Sequence, residues 1–377
     1  MERILISSNS FKECADSVSI SELIKSNLES IKDVELIVKP ISDGGDGFLK
    51  VCHFYVGGQF RHYEITTPYD ESTFDCPVLY CESKKEMYIE SAEVLGLKKV
   101  PIKHRKPLQL SSKGLGELIN RVQEEVENKK LILENIYIGI GGTATIDLGM
   151  GMMSKLGLSL LDSGGNKVTV IPKKYLSVSS IKYNPRPLSF TIKSVVDVAS
   201  PLLGEMGGVI IFGSQKGATN DDISCIENGF SKLINLFGNK GLDVSSNILS
   251  GAGGGIPSAL QIFFKSPIIT SQEFILDKLE LDNIKDSIDY LITGEGAYDS
   301  QSQLGKGAGL LVKMFTPRSE KVFIICGKAD KASKEIHPAN VKLIELNKYF
   351  SSDSESIRNY ELGIQKACEE IRNQIKF

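Results

Sequence analysis

The chain has 377 residues, which is long enough to bury a sizeable core and predicts two domains. Its apolar fraction of 41% and charged fraction of 24% are ordinary for a globular protein, and its net charge of −3 argues against nucleic acids and anionic membranes as partners. No apolar run approaches the roughly 20 residues that span a bilayer, and seven scattered cysteines without a Cys-x-x-Cys pair argue against disulfides or zinc and favour a reducing cytoplasm.

The N-terminal segment predicts a β-α-β unit and lacks the architecture of a signal peptide. Its elements are a strand at 3–8, a helix from 16 to about 31 and a strand at 34–38. The glycine turn Ser42–Gly47 follows the second strand and carries two carboxylates, Asp43 and Asp46.

The middle of the chain contains the most informative segment, the glycine-rich run Gly139–Gly151. The elements before it are antiparallel strands at 60–67, 73–80 and 87–90, a helix from 108 to about 129, and a strand at 135–139. We expect the run to open a helix that reaches Gly157, with Asp147 in its first turn. A strand, a glycine-rich turn and a helix N-terminus form a natural anion site, because backbone N–H groups and the helix dipole favour negative charge. At Asp147 a metal would fit between protein and phosphate.

The rest of the chain alternates between helices and strands. The predicted elements are short strands and loops over 158–195, a strand at 209–212, helices at 220–236 and 257–264, a strand at 289–293, a helix near 307–315, strands at 321–326 and 341–345, and a final helix at 355–375.

Charged residues and glycines follow the ends of several predicted strands. Besides the turn at 42–47, these are Asp197, Lys216 within Gly213–Thr219, and Glu295 and Asp299 with Lys306 shortly after. In α/β proteins the ligand cleft lies at the carboxyl ends of the strands. The sequence therefore predicts a shared phosphate-handling site, although each segment taken alone is also compatible with a capped turn.

The element order predicts an α/β fold with two α/β domains around a cleft. Residues 1–60 and 265–377, from both chain ends, are expected to form a Rossmann- or flavodoxin-like domain with a parallel sheet. Residues 61–264 are expected to form an inserted mixed α/β domain.

Seven segments, in order and over nearly the whole chain, resemble the two-domain glycerate kinases of bacteria. They are Asn9–Glu13, Asp43–Gly47, Ile138–Asp147, Asp197–Val198 with Pro201–Leu202, Phe212–Ala218, Gly251–Gly255, and Thr293–Ser302 followed by Gly305–Lys306. The resemblance implies ATP-dependent, Mg²⁺-assisted phosphorylation of D-glycerate at the 2-hydroxyl by a cytoplasmic monomer or homodimer. It implies no nucleic-acid or membrane partner, and the chain contains no Walker A sequence.

Phosphoryl transfer needs substrates held in the right positions, with Mg²⁺ and cations around the transferred phosphoryl group. These requirements indicate roles for the residues in the matched segments. The candidate catalytic residues are Lys12, Asp197, Lys216, Asp299 and Lys306. The candidate substrate- or nucleotide-binding residues are Ser10, Asp43, Gly44, Gly45, Gly141, Gly142, Thr143, Thr145, Gln215, Gly294, Glu295 and Gly296. The candidate Mg²⁺ ligands are Asp197, Glu295 and Asp299. Which carboxylate takes the proton of the attacking hydroxyl stays open.

The chain departs from the family pattern at several motif positions. Asn9 stands where the family has an acid, Ile146 replaces an amide, Leu148 a glycine, Ser200 an asparagine and Ala297 an arginine. These departures leave two alternatives: a kinase for a related small hydroxy acid, or a non-catalytic ligand-binding paralogue with the same fold.

Overall fold

The computed structural model describes residues 1–11, 14–197, 200–245, 249–278, 280–299, 302, 307–330, 333 and 338–375. The chain divides into two compact units: residues 1–55 with 271–377, and residues 56–270. Both units combine helices with a β-sheet, which confirms the α/β class. None of the described helices is long and apolar enough to cross a bilayer.

The strands are numbered in chain order. They are β1 (Glu2–Ser8), β2 (Val34–Val38), β3 (Gln59–Thr66), β4 (Thr73–Cys81), β5 (Glu86–Glu90), β6 (Asn135–Ile140), β7 (Leu158–Leu161), β8 (Ser180–Tyr183), β9 (Thr191–Val196), β10 (Ile268–Thr270), β11 (Tyr290–Tyr298), β12 (Lys321–Ala329) and β13 (Val341–Glu345).

The α-helices follow the same convention. They are α1 (Ser17–Leu28), α2 (Phe48–Val56), α3 (Ser91–Leu95), α4 (Lys113–Glu127), α5 (Met150–Lys155), α6 (Gly208–Gly213), α7 (Asn220–Asn239), α8 (Ile256–Phe264), α9 (Ser271–Lys278), α10 (Gly307–Phe315), α11 (Asp353–Arg358) and α12 (Tyr360–Arg372).

The first unit is built on a parallel sheet drawn from both ends of the chain. Within the described residues its strand order is β13-β12-β11-β1-β2, and every neighbouring pair is parallel. Ile4 and Ile6 of β1 pack with α1 and α12 on one face, while Leu5 packs with α9 and α10 on the other. Because both faces are covered, the strands are apolar along nearly their whole length. The predicted parallel sheet is therefore confirmed.

The second unit has a mixed sheet with the order β10-β9-β6-β5-β4-β3. β5, β6, β9 and β10 are parallel to one another, and β3 and β4 join as an antiparallel hairpin. Helix α4 places Leu115, Leu118, Ile119 and Val122 in the core of this unit. These residues recur at helical spacing, and burying each one contributes roughly 1.5–3 kcal/mol.

The predicted strand at 209–212 is wrong, because these residues form helix α6. Val209 is buried, whereas Ile210 and Ile211 are each 39% exposed. The N–H of Gly208 donates to the carbonyl of Pro201 at 2.8 Å, outside any sheet. A short apolar run fits a strand and a helix equally well by periodicity, and here the tertiary contacts of Gly208 decide.

Other boundaries also differ from the sequence-based expectation. Helix α5 begins only at Met150, because Leu148 and Gly149 have φ of 54° and 66°, so Asp147 lies before the helix and not in its first turn. Strand β11 runs to Tyr298 and includes Gly294–Gly296, because β12 pairs with it along this length. The last predicted helix is two helices, separated at Asn359.

Candidate functional site

In the second unit, two predicted site segments leave the sheet at the same edge. Ile140, the last residue of β6, pairs with Val196, the last residue of the parallel strand β9. The loop that begins at Gly141 and the half-buried Asp197 therefore emerge side by side. This carboxyl edge is where α/β sheets place their ligands.

The loop from Gly141 to Thr145 is tied to helix α3 and the residues after it. The hydroxyl of Ser91 donates to the carbonyl of Gly141 at 2.9 Å and accepts from its N–H at 3.0 Å. The N–H of Ala144 donates to the carbonyl of Leu95 at 2.7 Å. Gly142 is exposed and has a φ of 62°, a conformation that favours glycine.

Several donors of this loop have no acceptor in the part of the chain that the structure describes. Among the described residues, no acceptor binds the backbone N–H groups of Gly142, Thr143, Thr145 and Ile146. The Oγ1 atom of Thr145 is also buried without a partner in this part of the chain. Buried N–H groups are nearly always paired in native proteins. Thr143, Thr145 and Ile146 are buried, so N–H groups that no described acceptor binds indicate a site for an acceptor such as a phosphate or carboxylate oxygen.

Lys216 brings a positive charge to the same loop from 73 residues away in the sequence. Its Nζ donates to the Oγ1 of Thr143 and to the carbonyl of Thr145, each at 3.0 Å. The side chain is buried, and this burial lowers its pKa to about 8, against the opposing effect of the Asp147 charge. The ammonium therefore fixes the loop and adds positive potential to it, which makes Lys216 a positioning residue.

Asp147 is fully buried and accepts hydrogen bonds from both sides of the loop. Its Oδ2 accepts from the N–H and the hydroxyl of Ser112, each at 2.7 Å, and from the N–H of Gly151 at 3.1 Å, while Oδ1 accepts from the N–H of Gly149 at 3.2 Å. Burial raises the pKa of this carboxyl, and the hydrogen bonds from Ser112 and the glycines oppose that shift. With its oxygens engaged inside the protein, Asp147 joins the ends of α4 and α5. These hydrogen bonds favour a structural role for Asp147 over a metal ligand.

Glycines at 253–255 pack directly under the same loop. Gly254 has a φ of 72°, and a Cβ there would lie 2.2 Å from the carbonyl oxygen of Thr145. The carbonyl of Gly254 also accepts from the N–H of Leu148 at 2.9 Å. The glycines thus allow two stretches of backbone to approach closely.

Gly254→Ala is expected to lower the free energy of unfolding by at least about 2 kcal/mol, because it adds a backbone clash to an unfavourable φ. Gly165→Ala is the matched control. Gly165 has a φ of 79° but open space around its Cβ position, so its cost should be about 1 kcal/mol. Urea unfolding of both variants measures the difference, and equal losses would show that the contact with Thr145 does not matter.

In the first unit, the carboxyl ends of β1 and β11 bring other predicted residues together. Ser8 of β1 pairs with Gly294 of β11, so the half-buried Ser10 follows one strand beside the Gly294–Gly296 segment of the other. A Cβ on Gly294 would lie 2.1 Å from the carbonyl oxygen of Ile325. The contact with β12 therefore already explains a glycine at 294.

Asp43 is engaged in its own turn. Its Oδ1 accepts from the N–H of Gly45 at 2.9 Å, and the hydroxyl of Ser42 accepts from the N–H of Gly44 at 3.2 Å. Gly44 has a φ of 88°. Asp43 thus caps the turn, which leaves part of its carboxylate to meet a ligand.

The remaining predicted residues are distributed between the two units. Gln215 is exposed beside Lys216, Glu295 and Asp299 are half-buried at the end of β11, and Lys12 and Lys306 lie outside the described residues. Within the described ranges, no three His, Cys, Asp or Glu side chains gather as a metal site. The predicted cleft between the domains stays a prediction.

Sequence reasoning missed Ser91, Ser112 and Tyr175. The first two anchor the loop and Asp147, and the hydroxyl of Tyr175 donates to the carbonyl of Asp147 at 2.9 Å. None of the three lies in one of the seven segments that resemble the family. Their sequence context therefore carried no signal.

Comparisons with known proteins agree on one family. The model of the glycerate kinase family matches residues 4–376. The chain is 31% identical to the glycerate kinase of Neisseria meningitidis serogroup B, with 86% of this chain and 85% of the relative covered. It is 33% identical to the glycerate 2-kinase of Escherichia coli K12, with 81% and 79% covered. A crystal structure from Salmonella typhimurium LT2, provisionally named glycerate kinase 2, has a TM-score of 0.76 and 26% identity and covers 99% of both chains.

Proposed function

The chain belongs to the glycerate kinase family and is a kinase, and from this premise we propose that it transfers the γ-phosphoryl group of ATP to the 2-hydroxyl of D-glycerate. The name of the Escherichia coli relative, glycerate 2-kinase, supports the 2-position. All seven cysteines are free thiols, which supports a reducing, cytoplasmic location.

The observation that carries the proposal is the loop from Gly141 to Ile146. It combines N–H donors that no acceptor among the described residues binds with the buried ammonium of Lys216, and it lies at the carboxyl edge of a sheet. Charge spreads over the oxygens of the phosphoryl group in the transition state, so fixed donors and a cation stabilise it. Such donors cost no reorganisation during the reaction because the protein already holds them in place.

In the proposed reaction the 2-hydroxyl oxygen of glycerate forms a bond to the γ-phosphorus as the bond from that phosphorus to the ADP oxygen breaks. The hydroxyl proton passes to a carboxylate, for which Asp197 and Asp299 are the candidates. Both are half-buried and directly follow strands. The products are phosphoglycerate and ADP.

The carboxylates Asp197, Glu295 and Asp299 are the proposed ligands of Mg²⁺. Mg²⁺ usually takes one or two protein carboxylates together with substrate phosphates and water, so one or two of these carboxylates are enough and no three-residue cluster is needed. When bound with the nucleotide, Mg²⁺ neutralises charge on the phosphates.

We expect purified protein with Mg²⁺ and ATP to release ADP when D-glycerate is added, and EDTA to abolish this turnover. A coupled ADP-release assay over a panel of small hydroxy acids measures the acceptor preference, and phosphorus NMR of the product identifies the phosphorylated oxygen. A faster rate with another hydroxy acid would reassign the acceptor. ADP release unchanged by every acid would overturn the kinase proposal.

A further inference from the structure

A basic segment, residues 97–106, borders the glycine-rich loop of the second unit and contains none of the predicted site residues. It has five cationic residues and no acidic one: Lys98, Lys99, Lys103, Arg105 and Lys106. A backbone hydrogen bond ties the segment to the loop, since the N–H of Leu97 donates to the carbonyl of Gly142 at 2.8 Å. Val100 and Ala144, one from the segment and one from the loop, belong to the same buried apolar cluster. Positive charge therefore lies beside the loop that carries the proposed anion site.

Arg105, near the end of the basic segment, packs against the stretch of chain that supplies Lys216. Gly217 directly follows Lys216 and has a φ of 94°. A Cβ on Gly217 would lie 2.7 Å from the carbonyl oxygen of Arg105 and 3.5 Å from its Cβ. Lys216 in turn donates to the Oγ1 of Thr143 at 3.0 Å. The backbone of Arg105 is therefore held next to the cation that already contacts the loop.

The guanidinium of Arg105 is anchored through one nitrogen and keeps two others for a ligand. Its Nε donates to the carbonyl of Val100 at 3.0 Å, which orients the group beside the cluster that contains Ala144. Arg105 is half-buried. In the part of the chain that the structure describes, Nη1 and Nη2 donate to no acceptor, and neither atom is buried. Two parallel N–H donors in one plane match the two oxygens of a carboxylate or phosphate.

We propose that Nη1 and Nη2 of Arg105 bind an anionic group of a substrate that is held at the glycine-rich loop of the second unit. This inference rests on the proposed function. The shared chemistry is a pair of carboxylate or phosphate oxygens, from either the hydroxy acid or the nucleotide. Arg105 then adds a two-pronged, charge-assisted contact to the loop N–H groups, and the hydrogen bond to Val100 holds the guanidinium in place before the ligand arrives.

The test measures binding without turnover, by calorimetry with D-glycerate alone and with MgADP alone. Arg105→Gln removes the charge and keeps a polar side chain, whereas Arg105→Lys keeps the charge but loses the paired donors. We expect Arg105→Gln to raise the Kd of one ligand about thirtyfold and Arg105→Lys to raise it about tenfold, with the other ligand within twofold. The ligand whose Kd rises identifies the source of the anionic group.

Lys103→Gln is the matched control, because it removes the same charge from an exposed position two residues away and should leave both Kd values within twofold. An equal loss in Lys103→Gln would show that the field of the segment attracts the ligand, and not a contact of Arg105. That result would overturn the inference, as would Kd values within twofold for Arg105→Gln, equal weakening of both ligands, or a wild type that binds neither.

Melting curves show whether each variant is folded. If Arg105→Gln does not fold, Arg105→Lys decides, and a Kd within twofold of the wild type for both ligands would overturn the inference. A wild type that binds both ligands but does not turn over would overturn only the proposed function.

Discussion

Lys216→Met is expected to lower kcat by about a hundredfold at pH 7, because the loop donors that face the developing charge lose the residue that holds them in place. The ammonium of Lys216 holds the side chain of Thr143 and the carbonyl of Thr145, so its loss frees the loop and removes the positive charge beneath it. Methionine keeps the apolar stem and removes a buried charge, so the variant should stay folded. Steady-state kinetics with a melting curve measure both effects.

Lys240→Met is the matched control, because Lys240 is exposed at the end of α7 in the same unit. Its turnover should equal that of the wild type. If Lys216→Met retained turnover within a few-fold of the wild type, the loop would not depend on this contact and Lys216 would not belong to the functional site.

The lowered pKa of Lys216 gives the same prediction a pH dependence. Burial shifts this pKa from 10.5 to about 8. Between those values the unfolded chain still holds the proton that the folded chain has released, so this residue makes the free energy of unfolding rise with pH, by about 3 kcal/mol in all. Activity should move in the opposite direction, with kcat/KM falling above about pH 8 as the charge is lost.

Two pH series, one of the free energy of unfolding and one of kcat/KM, test the directions of these two changes. The stability of the wild type relative to Lys216→Met should increase from pH 8 to pH 10.5, since the variant has no group that titrates at this position. A kcat/KM profile of the wild type that stays flat to pH 9.5 would contradict the prediction that activity depends on the positive charge of Lys216.

Lys306→Met is the second change with a large expected effect, a loss of a hundredfold or more in kcat with little change in melting temperature. Lys306 lies between two glycines, directly before the first residue of α10, and it follows Glu295 and Asp299 in the sequence. A lysine that neutralises a transferring phosphoryl group contributes several kcal/mol to the transition state. An accessible lysine contributes only about 0.5 kcal/mol or less to folding.

Lys313→Met is the control, because Lys313 is an exposed residue of the same helix. Kinetics and melting curves of the two variants separate positioning from folding. Unfolding of Lys306→Met would show that the lysine is a buried structural partner, and turnover within a few-fold of the wild type would make it a surface residue.

Much of the fold was readable from the sequence because the signals are local. The apolar run of β2, the alternation that marks β4 and the helical spacing in α4 each depend on residues within a few positions of one another. The order of these elements also indicated the parallel sheet formed from both chain ends. Local signals were insufficient for α6, where a four-residue apolar run is compatible with both a strand and a helix.

The sequence by itself determined the class of the fold, the family and the chemical character of the glycine-rich loop, since each is written in contiguous residues. Only the tertiary structure decided that Lys216 lies beneath Thr143 and Thr145, that Asp147 is a buried acceptor for Ser112, and that Gly254 supports the loop. Each of these contacts joins residues far apart in the chain, and hydrogen bonding and burial depend on distance in space. No local pattern of residue types encodes that distance.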